Sequence, residues 1–113
     1  MPYTKTEVYK KMVQATTPTF VLTLPRDINL EEAVHVKFTM KQGLFKLTKS
    51  DEQIELNNNI ASVRLSQGET LVFAAKPAEI QLNWIYADGT RAATDIVTVD
   101  VKPNLHREVM PSE

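Results

Sequence analysis

Ile80, Leu82, Trp84 and Tyr86 fall on every second position with Gln81 and Asn83 between them, and a period of two lays all four side chains on one face of a β-strand. Asp88-Gly89 comes next. This pair reaches the positive backbone dihedrals of a tight hairpin turn, because glycine has no Cβ to clash and aspartate tolerates the left-handed region. Past the turn, Ile96-Val-Thr-Val-Asp-Val101 alternates again and is dense in β-branched residues, which suit a pleated surface. One long hairpin between Pro77 and Val101 is therefore predicted at the centre of the fold, with the Trp84 indole held inside.

The same period recurs upstream. Phe20, Leu22 and Leu24 share a face of a strand closed by Pro25, and Val34 to Lys41 is apolar on even numbers and polar on odd ones. If Gln42-Gly43 is a two-residue turn, Met40 faces Phe45, Phe38 faces Leu47 and Val36 faces Lys49, while Thr39 pairs with Lys46 and Lys37 with Thr48 outside. Ile54 to Leu56 gives a short strand, and Asn57-Asn58-Asn59 turns the chain. Ala61, Val63 and Leu65 then line the inner face of another. Asn29 is placed to cap one helical turn before Glu31 and Glu32. Ser66 and Glu69 have the capping-box spacing for a second turn carrying Leu71 and Phe73 between sheets. These elements predict an all-β fold, an immunoglobulin-like antiparallel β-sandwich of six or seven short strands with one or two short helical turns.

At 113 residues the chain suits one such domain. Residues 16–105 form the predicted sandwich and residues 106–113 a tail, with one helical turn in the chain past Pro103. Residues 1–15 read as an arm: Val8 and Met12, like Tyr9 and Val13, lie four apart, so a short helix from about Thr6 would carry an apolar stripe. Two turns do not persist alone in water, which leaves the arm docked on its own domain or on a neighbouring subunit.

A formal net charge of −1 does not make a polycation that tracks phosphates, so nucleic acid is not an expected partner. With no cysteine there is no disulfide, thiolate nucleophile or thiolate metal site. The first residues carry no apolar run of a secretory signal. No segment approaches the ~20 apolar residues of a membrane helix, and folding in the cytoplasm is expected.

Candidates for chemistry are sparse. His35 on an outward strand face and His106 in the tail belong to no metal motif and read as solvated histidines. Asp51, Glu52 and Glu55 offer oxygen ligands without the regular spacing of a calcium loop and read as a solvated turn. With a two-residue turn at Asp88-Gly89, Asp95 would face Leu82 on the buried side, where an unpaired carboxylate is costly. A bulge or longer turn that shifts the register before Ile96 is the favoured resolution. No Gly-x-Ser-x-Gly elbow or glycine-rich phosphate loop occurs. No catalytic, metal or cofactor-binding residue is assigned, and no cofactor or enzymatic activity is expected. The strongest surface signal is the outer face of the second hairpin, where His35, Lys37, Lys41 and Lys46 stand among threonines. That face could dock an acidic partner, although exposed lysines also deter edge-to-edge aggregation, the role the pattern favours. With Tyr3, Val8, Tyr9 and Met12 of the arm, these are the candidate protein-contact residues.

Three stretches carry a resemblance: Thr16-Thr17-Pro18-Thr19-Phe20; Ser66-Gln67-Gly68-Glu69-Thr70-Leu71-Val72-Phe73; and Ile80 to Trp84 running through Asp88-Gly89-Thr90 to Ala93-Thr94-Asp95-Ile96-Val97-Thr98-Val99. In order and spacing, over about residues 16–105, they resemble a family of small phage and prophage proteins of bacteria, with a more distant similarity to the immunoglobulin-like N-terminal module of phage upper baseplate proteins. The resemblance implies a non-enzymatic virion, tail or baseplate-associated structural part. Such a part contacts other virion proteins or copies of itself as a homo-oligomer, in the bacterial cytoplasm during assembly or in the virion. The alternative is a module binding carbohydrate on a host surface. That reading needs exposed aromatics, whereas Trp84 and Tyr86 are predicted inward.

Overall fold

The computed structural model describes residues 11–107. Among them are nine strands: β1 (Lys11–Val13), β2 (Thr19–Thr23), β3 (Ala33–Gln42), β4 (Phe45–Ser50), β5 (Ile54–Asn57), β6 (Ile60–Arg64), β7 (Ala78–Tyr86), β8 (Arg91–Ala93) and β9 (Val97–Lys102), with one short helix α1 (Gln67–Leu71) and 3-10 turns at Leu30–Glu32 and Asp51–Gln53. The larger sheet runs β1-β9-β7-β3-β4, with β8 also on β7, and the smaller runs β2-β6-β5. This is the expected β-sandwich, with a strand order of immunoglobulin type: B-E-D (β2-β6-β5) opposite a G-F-C sheet (β9-β7-β3) extended by β4 beside β3, β1 beside β9 and β8 on β7. The seven expected strands are present, and β1 and β8 are additional. Pairing is antiparallel throughout except that β1 lies parallel to β9, with Met12 opposite Val101.

Alternation sorts the side chains as the period-two rule requires. Ile80, Leu82 and Trp84 of β7, Phe38 and Met40 of β3, and Phe20 and Leu22 of β2 meet in one core, in which Trp84 is 2% exposed. The rings of Phe20 and Phe38 stack between the sheets at 5.9 Å. Each such side chain contributes about 1.5–3 kcal/mol of burial, an upper estimate. Both helical caps form. Asn29 Oδ1 accepts from Glu31 N–H at 3.0 Å. Ser66 Oγ accepts from Glu69 N–H at 3.1 Å while Glu69 Oε1 accepts from Ser66 N–H at 2.8 Å. Helix α1 then carries the chain from β6 in one sheet to β7 in the other.

The structure changes three sequence expectations and bears out a fourth, the longer turn or bulge favoured before Ile96, by showing both. First, no helix is found at residues 11–15: Lys11–Val13 is a strand, Met12 is 2% exposed in the core, and Gln14 is buried. The four-residue spacing misled because Met12 alone faces inward while Lys11 and Val13 face out, which is a strand's parity. Gln14 is held on every side, donating to Phe73 O at 2.6 Å and to Lys102 O at 2.9 Å and accepting from Asn104 and Arg107, each at 2.9 Å. The packed domain therefore reaches back to Lys11, and Asn104 and Arg107 are fastened to it without a helical turn from Pro103 to Arg107.

Second, the β3–β4 turn is Gly43-Leu44, flanked by the Gln42–Phe45 pair. Gly43 takes the positive φ, 59°, at the first central position, where a hairpin turn favours glycine. Gln42 stays in the strand because its side chain accepts from Ala74 N–H at 2.7 Å and donates to Ala74 O and Lys76 O. Met40 thus pairs with Leu47, Phe38 with Lys49 and Thr39 with Thr48. The pairing moves by two positions, so no side chain changes face. Third, β3 shifts register between Ala33 and His35, which turns Val34 outward to 51% exposure.

Fourth, the β7–β8 turn spans Ala87-Asp88-Gly89. Tyr86 N–H donates to Thr90 O and Gly89 N–H to Tyr86 O, both at 2.9 Å, and Gly89 has φ of 90°. Thr90 N–H donates to Asp88 Oδ1 at 2.8 Å, and that bond holds the Asp88 carboxyl below its usual range. The longer turn pairs Trp84 with Ala92 and Ile85 with Arg91. Thr94, not Asp95, lies opposite Leu82, donating its N–H to Leu82 O at 2.9 Å and accepting Leu82 N–H on Oγ1 at 3.1 Å. By β9 the pairing is Ile80 with Val97, so Asp95 and Ile96 together oppose Gln81 in a β-bulge.

Candidate functional site: the outer face of the larger sheet

From His35 to Lys41 the odd-numbered residues of β3 point away from the core, and its two neighbours complete the surface. Lys37 lies opposite Ser50, Thr39 opposite Thr48 and Lys41 opposite Lys46 on β4; on β7, His35 lies beside Ile85, Lys37 beside Asn83 and Lys41 beside Glu79. His35, Lys37, Lys41 and Lys46 are all exposed, and the structure brings these four together on one face as expected. Lys41 and Lys46 are directly opposed like charges, an arrangement that destabilises a sheet. Among the described residues neither makes an ion pair, and the Lys49 ammonium, on the inner side, is taken by Glu69 at 2.6 Å.

One end of this face is concave. His35, Lys37, Asp51, Asn83, Ile85 and Arg91 line a basin of about 440 Å³. Asp51 shapes its wall: Oδ1 accepts Val36 N–H at 3.1 Å and lies 3.5 Å from His35 Nδ1. Its backbone takes the left-handed φ of 48°, where asparagine and aspartate are the least strained side-chain-bearing residues. Asp51 is therefore occupied with the β3 backbone, and among the described residues no group of three His, Asp or Glu gathers as a cation site would. His106 is exposed in the segment after β9.

Arg91 is the basin residue that sequence reasoning missed. A two-residue turn places it opposite Tyr86, on the inner side; the longer turn places it opposite Ile85, on the outer side and beside Lys37's neighbour Asn83. The remaining candidates divide. Met12, buried beneath β9, is a core residue and not a contact residue. Tyr3, Val8 and Tyr9 lie outside the described residues. The basin and lysine rows can hold an anionic surface by charge and by the amide of Asn83. They assemble no nucleophile with a base in bonding reach. Among the described residues no helix is long and apolar enough to cross a membrane. No protein-family model matches the chain, and no curated protein matches it.

Proposed function

We propose that the domain is a non-enzymatic structural module of a phage or prophage particle, associated with tail or baseplate, that docks an acidic protein surface on the outer face of its larger sheet. The observation that supports this reading is the concentration of positive charge on that face: Lys41 opposes Lys46 with no ion pair at either among the described residues, and Lys37, His35 and Arg91 continue the row, in a chain whose formal net charge is −1. Positive charge is concentrated there against the average, at a cost to the sheet that an acidic partner offsets. The hydrogen-bonded strands β3, β4 and β7 supply a platform already in place, so docking orders little chain.

The test is incorporation. Particles purified from the host would be analysed by quantitative mass spectrometry with the wild-type protein and with the triple variant Lys37→Glu, Lys41→Glu, Lys46→Glu. All three positions are exposed, so the variant should fold, and its urea unfolding midpoint is measured alongside because it replaces one like-charge pair with another. At least a tenfold loss from particles is expected; undiminished incorporation, or a wild-type protein absent from particles, overturns the reading.

A further inference from the structure

Where β8 gives way to β9, Thr94 is bonded through its backbone and its side chain, and two other side chains are not. Thr94 Oγ1 accepts Leu82 N–H and donates to Asp95 O at 2.9 Å, and the Gln81 amide donates to Thr94 O at 2.8 Å. Two buried atoms have no partner among the described residues: Trp84 Nε1, a donor, and Asp95 Oδ1, an acceptor. Buried polar atoms in native folds are nearly always satisfied, so each exception requires an occupant or a reason. The other buried polar side chains, Gln14, Thr70 and Thr94, are hydrogen-bonded. Both orphans belong to residues lining one cleft of about 660 Å³, which runs around the β8 edge between Ile28, Tyr86 and Ile96.

The chemistry of the pair narrows the occupant. Trp84 needs an acceptor and Asp95 needs a donor, and a hydroxyl is both at once. The cleft volume is in the range of small-molecule sites, with half-buried Tyr86 and Ile28 as apolar walls. Its charges, Asp95 and Arg91, are of opposite sign, which disfavours an ion of either sign and suits a neutral molecule. Around the edge itself, the Tyr86–Thr90 and Leu82–Thr94 bonds fix the ladder so that Ala92 bonds β7 while Arg91 and Ala93 turn their backbone groups outward. These add further donors and acceptors for a polyhydroxylated ligand.

The geometry points to a binding site for one neutral sugar unit in this cleft, with a ring hydroxyl bridging Trp84 Nε1 and Asp95 and the C–H face of the ring on Tyr86. The two orphan atoms are shut off from solvent, so the hydroxyl seats when the Asp95 carboxylate changes rotamer. Asp95 is half-buried and lies in the bulge, outside the regular ladder, where that step disturbs no strand pairing. The site shares Arg91 with the basin but rests on Trp84 and Asp95, which the lysine row does not use, so either can fail without the other.

The chain has one tryptophan, so the indole N–H gives one resonance in a ¹H–¹⁵N spectrum. The methyl glycosides of glucose, galactose, mannose and N-acetylglucosamine would be titrated against the full chain. At least one is expected to shift that resonance saturably, with a dissociation constant on the order of 1 mM. Asp95→Ala should weaken it about tenfold or more, and Asp95→Asn, which keeps an acceptor oxygen, only a few-fold. Three results overturn the assignment: no glycoside moves the resonance, Asp95→Ala binds as wild type, or the indole N–H keeps a bound-water cross-peak unchanged at saturating glycoside.

Discussion

Replacing Thr94 by Val tests the join between β8 and β9. The side chain is 3% exposed, accepts Leu82 N–H at 3.1 Å and donates to Asp95 O at 2.9 Å. Valine keeps the shape and puts a methyl where the hydroxyl was, leaving the buried Leu82 amide without an acceptor. An orphaned buried donor costs about 1–3 kcal/mol and the lost bond to Asp95 about 1 kcal/mol, while the extra methyl returns about 0.8 kcal/mol; the net is about 2 kcal/mol. Serine keeps both bonds and gives up one methyl, about 0.8 kcal/mol. The better steric match should therefore be the worse substitution. Urea unfolding followed by the emission of Trp84 measures this directly. At a slope of about 1.5 kcal/mol per molar, the Val midpoint falls by about 1.5 M and the Ser midpoint by about 0.5 M. A Val variant at least as stable as the Ser variant would refute the claim that the hydroxyl, and not its methyl, holds the bulge.

Glu69→Gln keeps the capping box but ends the ion pair with Lys49. Partial burial pushes the Glu69 carboxyl up, but bonds from Lys49 and Ser66 outweigh it and hold it below its ordinary 4.5. Its contribution is present above that ordinary value and lost as pH falls through the lower folded value, so acid unfolding curves of the variant should decline less steeply there than wild type. In Gly89→Val the new Cβ meets no atom within 4 Å but the residue inherits a φ of 90°, so it should cost about 1–2 kcal/mol through the dihedral; a thermal midpoint equal to wild type counts against the turn. Lys46→Glu converts a like-charge pair with Lys41 into an attractive one and should stabilise the isolated domain by about 0.2–1 kcal/mol, a gain that disappears in high salt. Met12→Ala should cost about 2–5 kcal/mol in urea if residues 11–15 belong to the core, whereas a free arm predicts no change.

Parity and turn chemistry made most of the sandwich legible. Seven strands, both capped turns and the interior Trp84 could be read because each rests on a pattern repeated within a few residues: alternation, Asn29 before an acidic pair, Ser66 three before Glu69. The four lysine and histidine positions of the outer face followed from the parity of β3 and β4. What escaped was every feature set by partners far along the chain. Met12 has one inward neighbour position and needs β9, some 90 residues later, to make it a strand residue. Gln42 reads as a turn residue until its bonds to Ala74 and Lys76 are seen. Val34 turns outward at a bulge that no local residue type announces.

The central hairpin shows how two departures, of which the sequence called for one or the other, can cancel. A two-residue Asp88-Gly89 turn pairs β7 with its return limb so that Ile80 meets Val97, and that pairing is found. Yet the turn has three residues, Ala87 to Gly89, which displaces β8 by one position, and the bulge at Asp95-Ile96 restores it before β9 begins. The alternation of Ile96–Val101 therefore reads correctly even though the stretch from Arg91 to Asp95 does not. That short displaced segment contributes to both candidate surfaces. The added turn residue sends Arg91 outward to join Lys37 at the basin, and the compensating bulge sets Asp95 on the wall of the cleft that Trp84 also lines. A slip of one residue exchanges faces, so a brief slip that later corrects itself changes which side chains are presented while leaving the core on either side intact. Such a segment is free to acquire contacts that the rest of the sheet, locked by its buried face, does not tolerate.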